Sequence, residues 1–153
     1  MSCPVFRETD AAFTERRPMQ LTREADYAVR CVLYLASAGG RPAAVGEIAE
    51  AQGMSAAFTA KILQKLVNAG IAASRRGVKG GFVLARPPAE TTLLEVIEAV
   101  QGPLALNICV VDRKNCDRNS RCSVHPVWVE VQADMKKKLE SYTFERLLNS
   151  SPR

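Results

Sequence analysis

The chain has 153 residues, 47% of them hydrophobic, enough for one domain with an appendage and a core of its own. Its net charge of +5 favours a polyanionic partner, either nucleic acid or an anionic membrane surface. No segment approaches the ~20 apolar residues of a membrane span, and five cysteines in a reducing cytoplasm fit metal ligation or thiol chemistry better than disulfides.

Residues 1–18 read as a flexible tail, with mixed charge, no hydrophobic period and two prolines, Pro4 and Pro18. They lack the continuous apolar stretch of a signal peptide, so a cytoplasmic protein is expected, and Met19 offers an alternative start. A DNA-binding domain is expected over 19–103. Its first helix begins after Thr22 as N-cap, runs through Ala38 and stops at Gly39-Gly40. Tyr27, Cys31, Tyr34 and Leu35 keep helical spacing, as do Ala25, Val29, Val32 and Ala36, so this helix is largely buried. Cys31 then reads as core, because free cysteine packs as a small hydrophobe. A short helix over about 45–51 turns Ile48 and Ala49 inward.

Gln52-Gly53-Met54 makes a turn, and Ser55 caps a third helix reaching about Ala69. Phe58, Ile62 and Leu66, joined by Leu63 and Val67, form its core stripe; Thr59, Lys61, Lys65 and Asn68 take the opposite face. Two helices joined by a glycine-containing turn are the helix-turn-helix pattern. Next, 71–76 and 82–85 flank Gly77-Val78-Lys79-Gly80-Gly81, a hairpin with a basic tip, as in the wing of a winged helix. Thr92 and Glu95 form a capping box for a helix to about Gln101, ended by Gly102-Pro103. A cysteine-rich loop fills 104–125.

A last helix is expected over 126–148, with Pro126 in its first turn, followed by a tail over 149–153. Trp128, Val131, Met135, Leu139 and Tyr142 recur along it at spacings of three and four, with Lys136, Lys137 and Lys138 exposed. So small a domain leaves that stripe uncovered, and homodimerisation is the simplest cover. The expected fold class is mainly α with a small β-hairpin: a winged helix-turn-helix domain plus a long C-terminal dimerisation helix.

The basic character is local. Between 51 and 89 there is no acidic residue, while Lys61, Lys65, Arg75, Arg76, Lys79 and Arg86 supply six positive charges. The start of the second helix of a helix-turn-helix meets base edges in the major groove. Here it holds Ser55, Ala57, Thr59, Ala60 and Lys61. Lysine donates to guanine, hydroxyls reach bases or phosphates, and alanines allow close approach. Lys65, Arg75 and Lys79 read as phosphate contacts, Arg76 as a minor-groove side chain, and Gly80 as a site of close backbone approach. Double-stranded DNA is therefore the expected partner, and no membrane is.

Cys109, Cys116, Cys122 and His125 crowd into seventeen residues, with gaps of six, five and two. Thiolate and imidazole ligate iron–sulfur clusters and zinc. This is not the paired spacing of a zinc ribbon, and wide gaps suit a loop wrapped around a cluster. Asp112, Arg113, Lys114, Asn115, Asp117, Arg118, Asn119 and Arg121 make the loop polar, so these cysteines are not core. Zinc bound by three cysteines and the histidine stays open. No enzymatic constellation is visible, because the only histidine sits inside the cysteine cluster. The spacing also departs from the common ferredoxin patterns of an electron carrier.

From Met19 to about Leu148 the chain resembles the bacterial IscR/NsrR/RirA-type family of winged-helix regulators. The resemblance rests on MQLTREADYAVR at the start, SAAFTAKILQKLVNAGI in the reading helix, RRGVKGGFVLARPP in the wing, and the three-cysteine loop. It implies a homodimer crossing through the last long helix, and an iron–sulfur cluster on Cys109, Cys116 and Cys122 whose state alters operator affinity. His125 resembles the histidine ligand of members with a 2Fe–2S cluster and is the favoured fourth ligand. Asp26 resembles the first-helix carboxylate that the partner subunit supplies to a 4Fe–4S cluster. Two departures stand out: the first cysteine gap is six residues where five is usual, and Ala57 and Ala60 replace polar base-contacting residues of IscR-type members. The implied function is a repressor switched by cluster loss, oxidation or nitrosylation. A metal-free thiol-redox regulator and a zinc-stabilised one are the alternatives.

Overall fold

The structure, a computed structural model, describes residues 21–111, 116 and 121–150. The expected tail over 1–18, the polar residues 112–115 and 117–120 between the cysteines, and 151–153 lie outside the described residues.

Among the described residues, seven α-helices and one hairpin follow one another. They are α1 (Arg23–Ser37), α2 (Val45–Gln52), α3 (Ala56–Asn68), β1 (Ala72–Arg75), β2 (Gly81–Leu84), α4 (Leu93–Gln101), α5 (Ile108–Val111), α6 (His125–Glu140) and α7 (Phe144–Ser150), with a 3-10 turn at Pro88–Glu90 before α4. The expected caps are present. Thr22 accepts the Ala25 N–H at 3.1 Å and Ser55 the Phe58 N–H at 3.3 Å, while Thr92 and Glu95 close a reciprocal capping box. Gly53 ends α2 in the left-handed conformation that residues with a Cβ avoid.

α1 is the hub, packed against α2, α3, α4 and α7. It buries Ala25, Ala28, Cys31, Val32, Leu35 and Ala36. All but Ala25 join Ile48, Ile62, Leu63, Leu66, Ile71, Val96 and Phe144 in one core, while Ala25 packs with Ile97 and Leu104 in a second cluster. Cys31 is fully buried, and burial pushes its thiol up to about 12, so it stays neutral and inert, as a core residue should.

The wing is an antiparallel pair with Ala72 opposite Leu84 and Arg75 opposite Gly81. It is stapled to the helix-turn-helix. The Ala43 N–H donates to the Phe82 carbonyl at 3.0 Å, and the Phe82 N–H returns to the Ala43 carbonyl at 2.8 Å. Gly81 makes this approach feasible: a Cβ there would collide with the Ala43 carbonyl. Gly81→Ala is therefore expected to lower the unfolding free energy by about 1–3 kcal/mol, as overpacking does. Gly46→Ala meets open space on α2 and serves as control, with an expected gain of up to about 1 kcal/mol. Equal denaturant midpoints for the two variants would refute the staple.

The expected helix over 126–148 is two helices. α6 stops at Glu140, and Thr143 forms a bridge with Thr92 and caps α7 by accepting the Arg146 N–H at 3.3 Å. The Leu93 N–H donates to the Tyr142 carbonyl and the Phe144 N–H to the Thr91 carbonyl, at 2.8 and 3.0 Å. The break drops Phe144 into the core, where it is fully buried. Burying an aromatic ring outweighs the helical hydrogen bonds given up at Ser141–Thr143, where hydroxyl side chains already favour caps over helix interior. Tyr142 accordingly lies off the helix, with the Arg146 guanidinium 4.4 Å from its ring centre. Among the described residues, no helix is long and apolar enough to cross a membrane.

Candidate DNA-reading face and metal-ligand cleft

The expected reading residues separate into three groups. Ser55, Ala57, Ala60 and Lys61 are exposed along the start of α3, and Lys61 keeps only a 4.0 Å contact with Glu24. Thr59 differs from expectation: it is fully buried, its hydroxyl donating to the Ser55 carbonyl at 3.0 Å. The inward stripe of α3 is thus Thr59, Ile62, Leu63 and Leu66, while Phe58 is half-buried, edge-on to Tyr27 with ring centres 5.8 Å apart. Lys65 also differs. Its ammonium sits 2.8 Å from Glu24 and donates to the Val100 carbonyl at 3.2 Å, so it holds the domain together rather than facing solvent.

At the wing, Arg75, Arg76 and Lys79 are exposed, and none forms an ion pair among the described residues. Three bare cations on a two-stranded arm create a local positive potential suited to phosphate. Gly80 is half-buried, and its N–H closes the tip by donating to the Gly77 carbonyl at 2.9 Å. Arg86 does not join this face, since it pairs with Glu95 at 3.1 Å.

The first helix of the motif is held by a polar cluster that the hydrophobic pattern did not reveal. Glu47 on α2 accepts the Tyr34 hydroxyl at 2.6 Å and pairs with Arg41 at 2.5 Å. The Arg41 hydrogen bond, then the Tyr34 hydroxyl, hold the Glu47 carboxyl at about 2, below its ordinary 4.5. A carboxyl depressed on folding contributes stability above pH 4.5 that is lost as pH falls toward 2. Glu47→Gln should therefore be less stable than wild type at neutral pH, and the gap should close between those two values. Thermal unfolding against pH checks this, and a gap independent of pH would contradict it.

A cleft of about 400 Å³ between α5 and α6 is lined by Cys109, Val110, His125, Val129, Gln132 and Lys136, among others. Cys109 enters it from α5, buried, and His125 from the first residue of α6, also buried. His125 donates its backbone N–H to the Cys122 carbonyl at 3.3 Å, but its ring Nδ1 is buried with no hydrogen-bond partner among the described residues. An unsatisfied buried polar atom costs about 1–3 kcal/mol. Metal ligation through that nitrogen would remove the cost, so the thiol and imidazole in this cleft fit a cluster or zinc. Cys116 and Cys122 are half-buried thiols. Among the described residues, no three histidine, cysteine or acidic side chains stand close enough to hold a metal ion, so the four expected ligands are not gathered at one point. Asp26 is exposed on α1 and pairs with Arg30 at 3.0 Å.

Gln132 and Lys136 were not foreseen as cleft residues. Lys136, expected to be exposed, is half-buried and pairs with Glu98 at 2.8 Å. The expected dimer stripe also divides. Trp128 and Val131 are exposed on α6, beside Val124, Val127 and Val129. Met135 and Leu139 instead turn onto Ala25, Ile97 and Leu104 of the same chain.

A family model described as Rrf2, iron-dependent transcriptional regulator, matches residues 21–150. Protein aau3 of Rhizobium meliloti is 33% identical over 135 residues, covering 88% of each chain. The HTH-type transcriptional regulator IscR of Photorhabdus laumondii is 31% identical over 134 residues, 86% of this chain and 80% of that one. Among solved structures, CymR, the global cysteine regulator of B. subtilis, superposes with a TM-score of 0.71 at 24% identity, over 87% of this chain and 98% of its own.

Proposed function

This chain belongs to the Rrf2 family of transcriptional regulators, and from that membership we propose a cytoplasmic, homodimeric repressor whose operator affinity is set by an iron–sulfur cluster. The chain is a DNA-binding regulator and not an enzyme. The observation that carries the metal reading is the buried Nδ1 of His125, without a partner among the described residues, in the cleft that Cys109 also lines. Cys109, Cys116, Cys122 and His125 would hold the cluster, with Asp26 as the alternative fourth ligand and 2Fe–2S as the favoured form over 4Fe–4S or zinc. Such a cluster supplies a centre sensitive to redox state, nitric oxide or iron–sulfur supply.

The chain's own residues do the rest. Ser55, Ala57, Ala60 and Lys61 present the start of α3 to the major groove. Arg75, Arg76 and Lys79 bring the wing to the flanking backbone, Arg76 entering the minor groove. Two copies pairing through Trp128, Val131 and their exposed valine neighbours would set two reading helices in successive grooves of a pseudo-palindrome.

The test is anaerobic purification with absorbance and Mössbauer spectra, plus iron and sulfide counts, on wild type, His125→Ala and Asp26→Ala. A 2Fe–2S signature changed by His125→Ala supports the reading. A 4Fe–4S signature changed by Asp26→Ala moves the fourth ligand to α1. A colourless protein holding zinc or no metal sinks the cluster and leaves a zinc-stabilised or thiol-based regulator.

A further inference from the structure

The last turn of α4, Glu98–Gln101, is held from four directions. From the cleft wall, Lys136 of α6 reaches Glu98 at 2.8 Å. From the start of the cysteine loop, the Leu104 N–H donates to the same Glu98 oxygen at 3.0 Å. From the reading helix, Lys65 donates to the Val100 carbonyl at 3.2 Å. From the N-cap of α1, the Thr22 N–H and hydroxyl both donate to the Gln101 side-chain oxygen, at 3.1 and 3.3 Å. Gln132, another cleft residue, fixes the loop beside this point by accepting the Leu106 N–H at 3.0 Å.

The last carbonyls of a helix have no partner within it and carry partial negative charge. An ammonium there is a natural cap, and Lys65 takes that role from a neighbouring helix. Glu98 is half-buried; burial alone raises its carboxyl, but the Lys136 hydrogen bond, the Leu104 N–H and the Lys136 charge outweigh this and hold it below its ordinary value. At neutral pH Lys136 therefore faces a carboxylate anchored on the last turn of α4. Two residues further on, the same turn holds the reading helix through Val100 and Lys65. Lys65 is also paired with Glu24 at 2.8 Å, so α3, α1 and α4 meet at one ammonium.

We propose that the Glu98–Lys136 pair is a positioning device, through which the state of the Cys109–His125 cleft adjusts the seating of the reading helix by way of the last turn of α4. The inference rests on the cleft being the ligand site proposed above, but the joint itself is a property of the fold and is testable without any metal. Lys136 lines the cleft and pairs with Glu98, and it is outside the residues proposed above as ligands and DNA contacts.

Amide hydrogen exchange on the full-length, metal-free protein tests the joint directly. Lys136→Met should accelerate exchange of the amides over 65–70, at the end of the reading helix, by roughly 2- to 30-fold. Lys136→Arg, which keeps the pair, should restore wild-type exchange; a merely space-filling role would be served equally by Met. Acceleration confined to 104–107, with α3 unchanged, would overturn the proposal. On the cluster-loaded protein, the ratio of operator affinities with and without cluster, read by fluorescence anisotropy, should move toward one in Lys136→Met while the absorbance spectrum stays that of wild type. An unchanged ratio in that variant would also overturn it. A wild-type protein that takes up no cluster refutes the function proposed above, and the exchange comparison still decides the joint.

Discussion

Phe144→Ala is expected to destabilise the protein by about 3–5 kcal/mol, the usual cost of emptying a fully buried aromatic site. The residue is the first of α7 and is completely enclosed, against a core contributed by α1, α3 and α4. Its backbone N–H is also the donor to Thr91, itself fully buried. Removing the ring leaves half-buried Leu147 and Leu148 as the apolar side chains of α7 packed on the core, and seven residues are too few to be helical alone. The loss should thus exceed that of Phe58→Ala, whose ring is half-buried at the surface end of α3. Chemical denaturation of both variants measures the difference. A cost below about 1 kcal/mol for Phe144→Ala would mean that α7 is not part of the core, since fully buried apolar side chains cost several times that.

The second large effect concerns DNA. Replacing Arg75, Arg76 and Lys79 together by alanine should leave the fold intact, because all three are exposed and outside every ion pair among the described residues. Operator binding should weaken, and its salt dependence should flatten. Each phosphate left without its cation makes the log–log slope shallower by about 0.9, so losing Arg75 and Lys79, the two phosphate contacts, removes about 1.8 per protomer. Lys61→Ala should behave differently, costing about 1–3 kcal/mol at one base position while changing the slope by at most about 1. Lys65→Ala gives the sharpest contrast: bound to Glu24 and the Val100 carbonyl, it should cost stability and leave the slope almost unchanged. Anisotropy titrations across a salt series separate the three. A wing variant with the wild-type slope would remove the wing from the interface.

Much of this was legible in the residues themselves. The boundaries of α1, α3 and α4 follow from Thr22, Ser55 and Thr92, because an N-cap is a local hydrogen bond between near neighbours in the chain. The wing follows from a glycine-rich basic tip between two short apolar runs, and its register is set by the turn. What misled was periodicity read as exposure. Trp128, Val131, Met135, Leu139 and Tyr142 form a continuous stripe on paper. In the structure its first half is exposed, its middle covers Ala25, Ile97 and Leu104, and its end has left the helix. A helical period states which residues share a face, not what that face meets. Thr59 and Lys65 were misplaced for the same reason. A polar residue is assigned to solvent by default, yet Thr59 satisfies its hydroxyl within its own turn, and Lys65 satisfies its charge on two other helices.

The sequence by itself determined the caps, the helix-turn-helix, the wing, the localised positive charge and the set of candidate metal ligands. All of these depend on residue type and on separations of a few positions. Only the tertiary structure decided where α6 ends, which cations face solvent, and that Cys109 and His125 share a cleft with Lys136. It also decided that α4 links that cleft to the reading helix. These features depend on contacts between residues tens of positions apart. Their energies are set by burial and by partners brought together in folding, which no local pattern encodes.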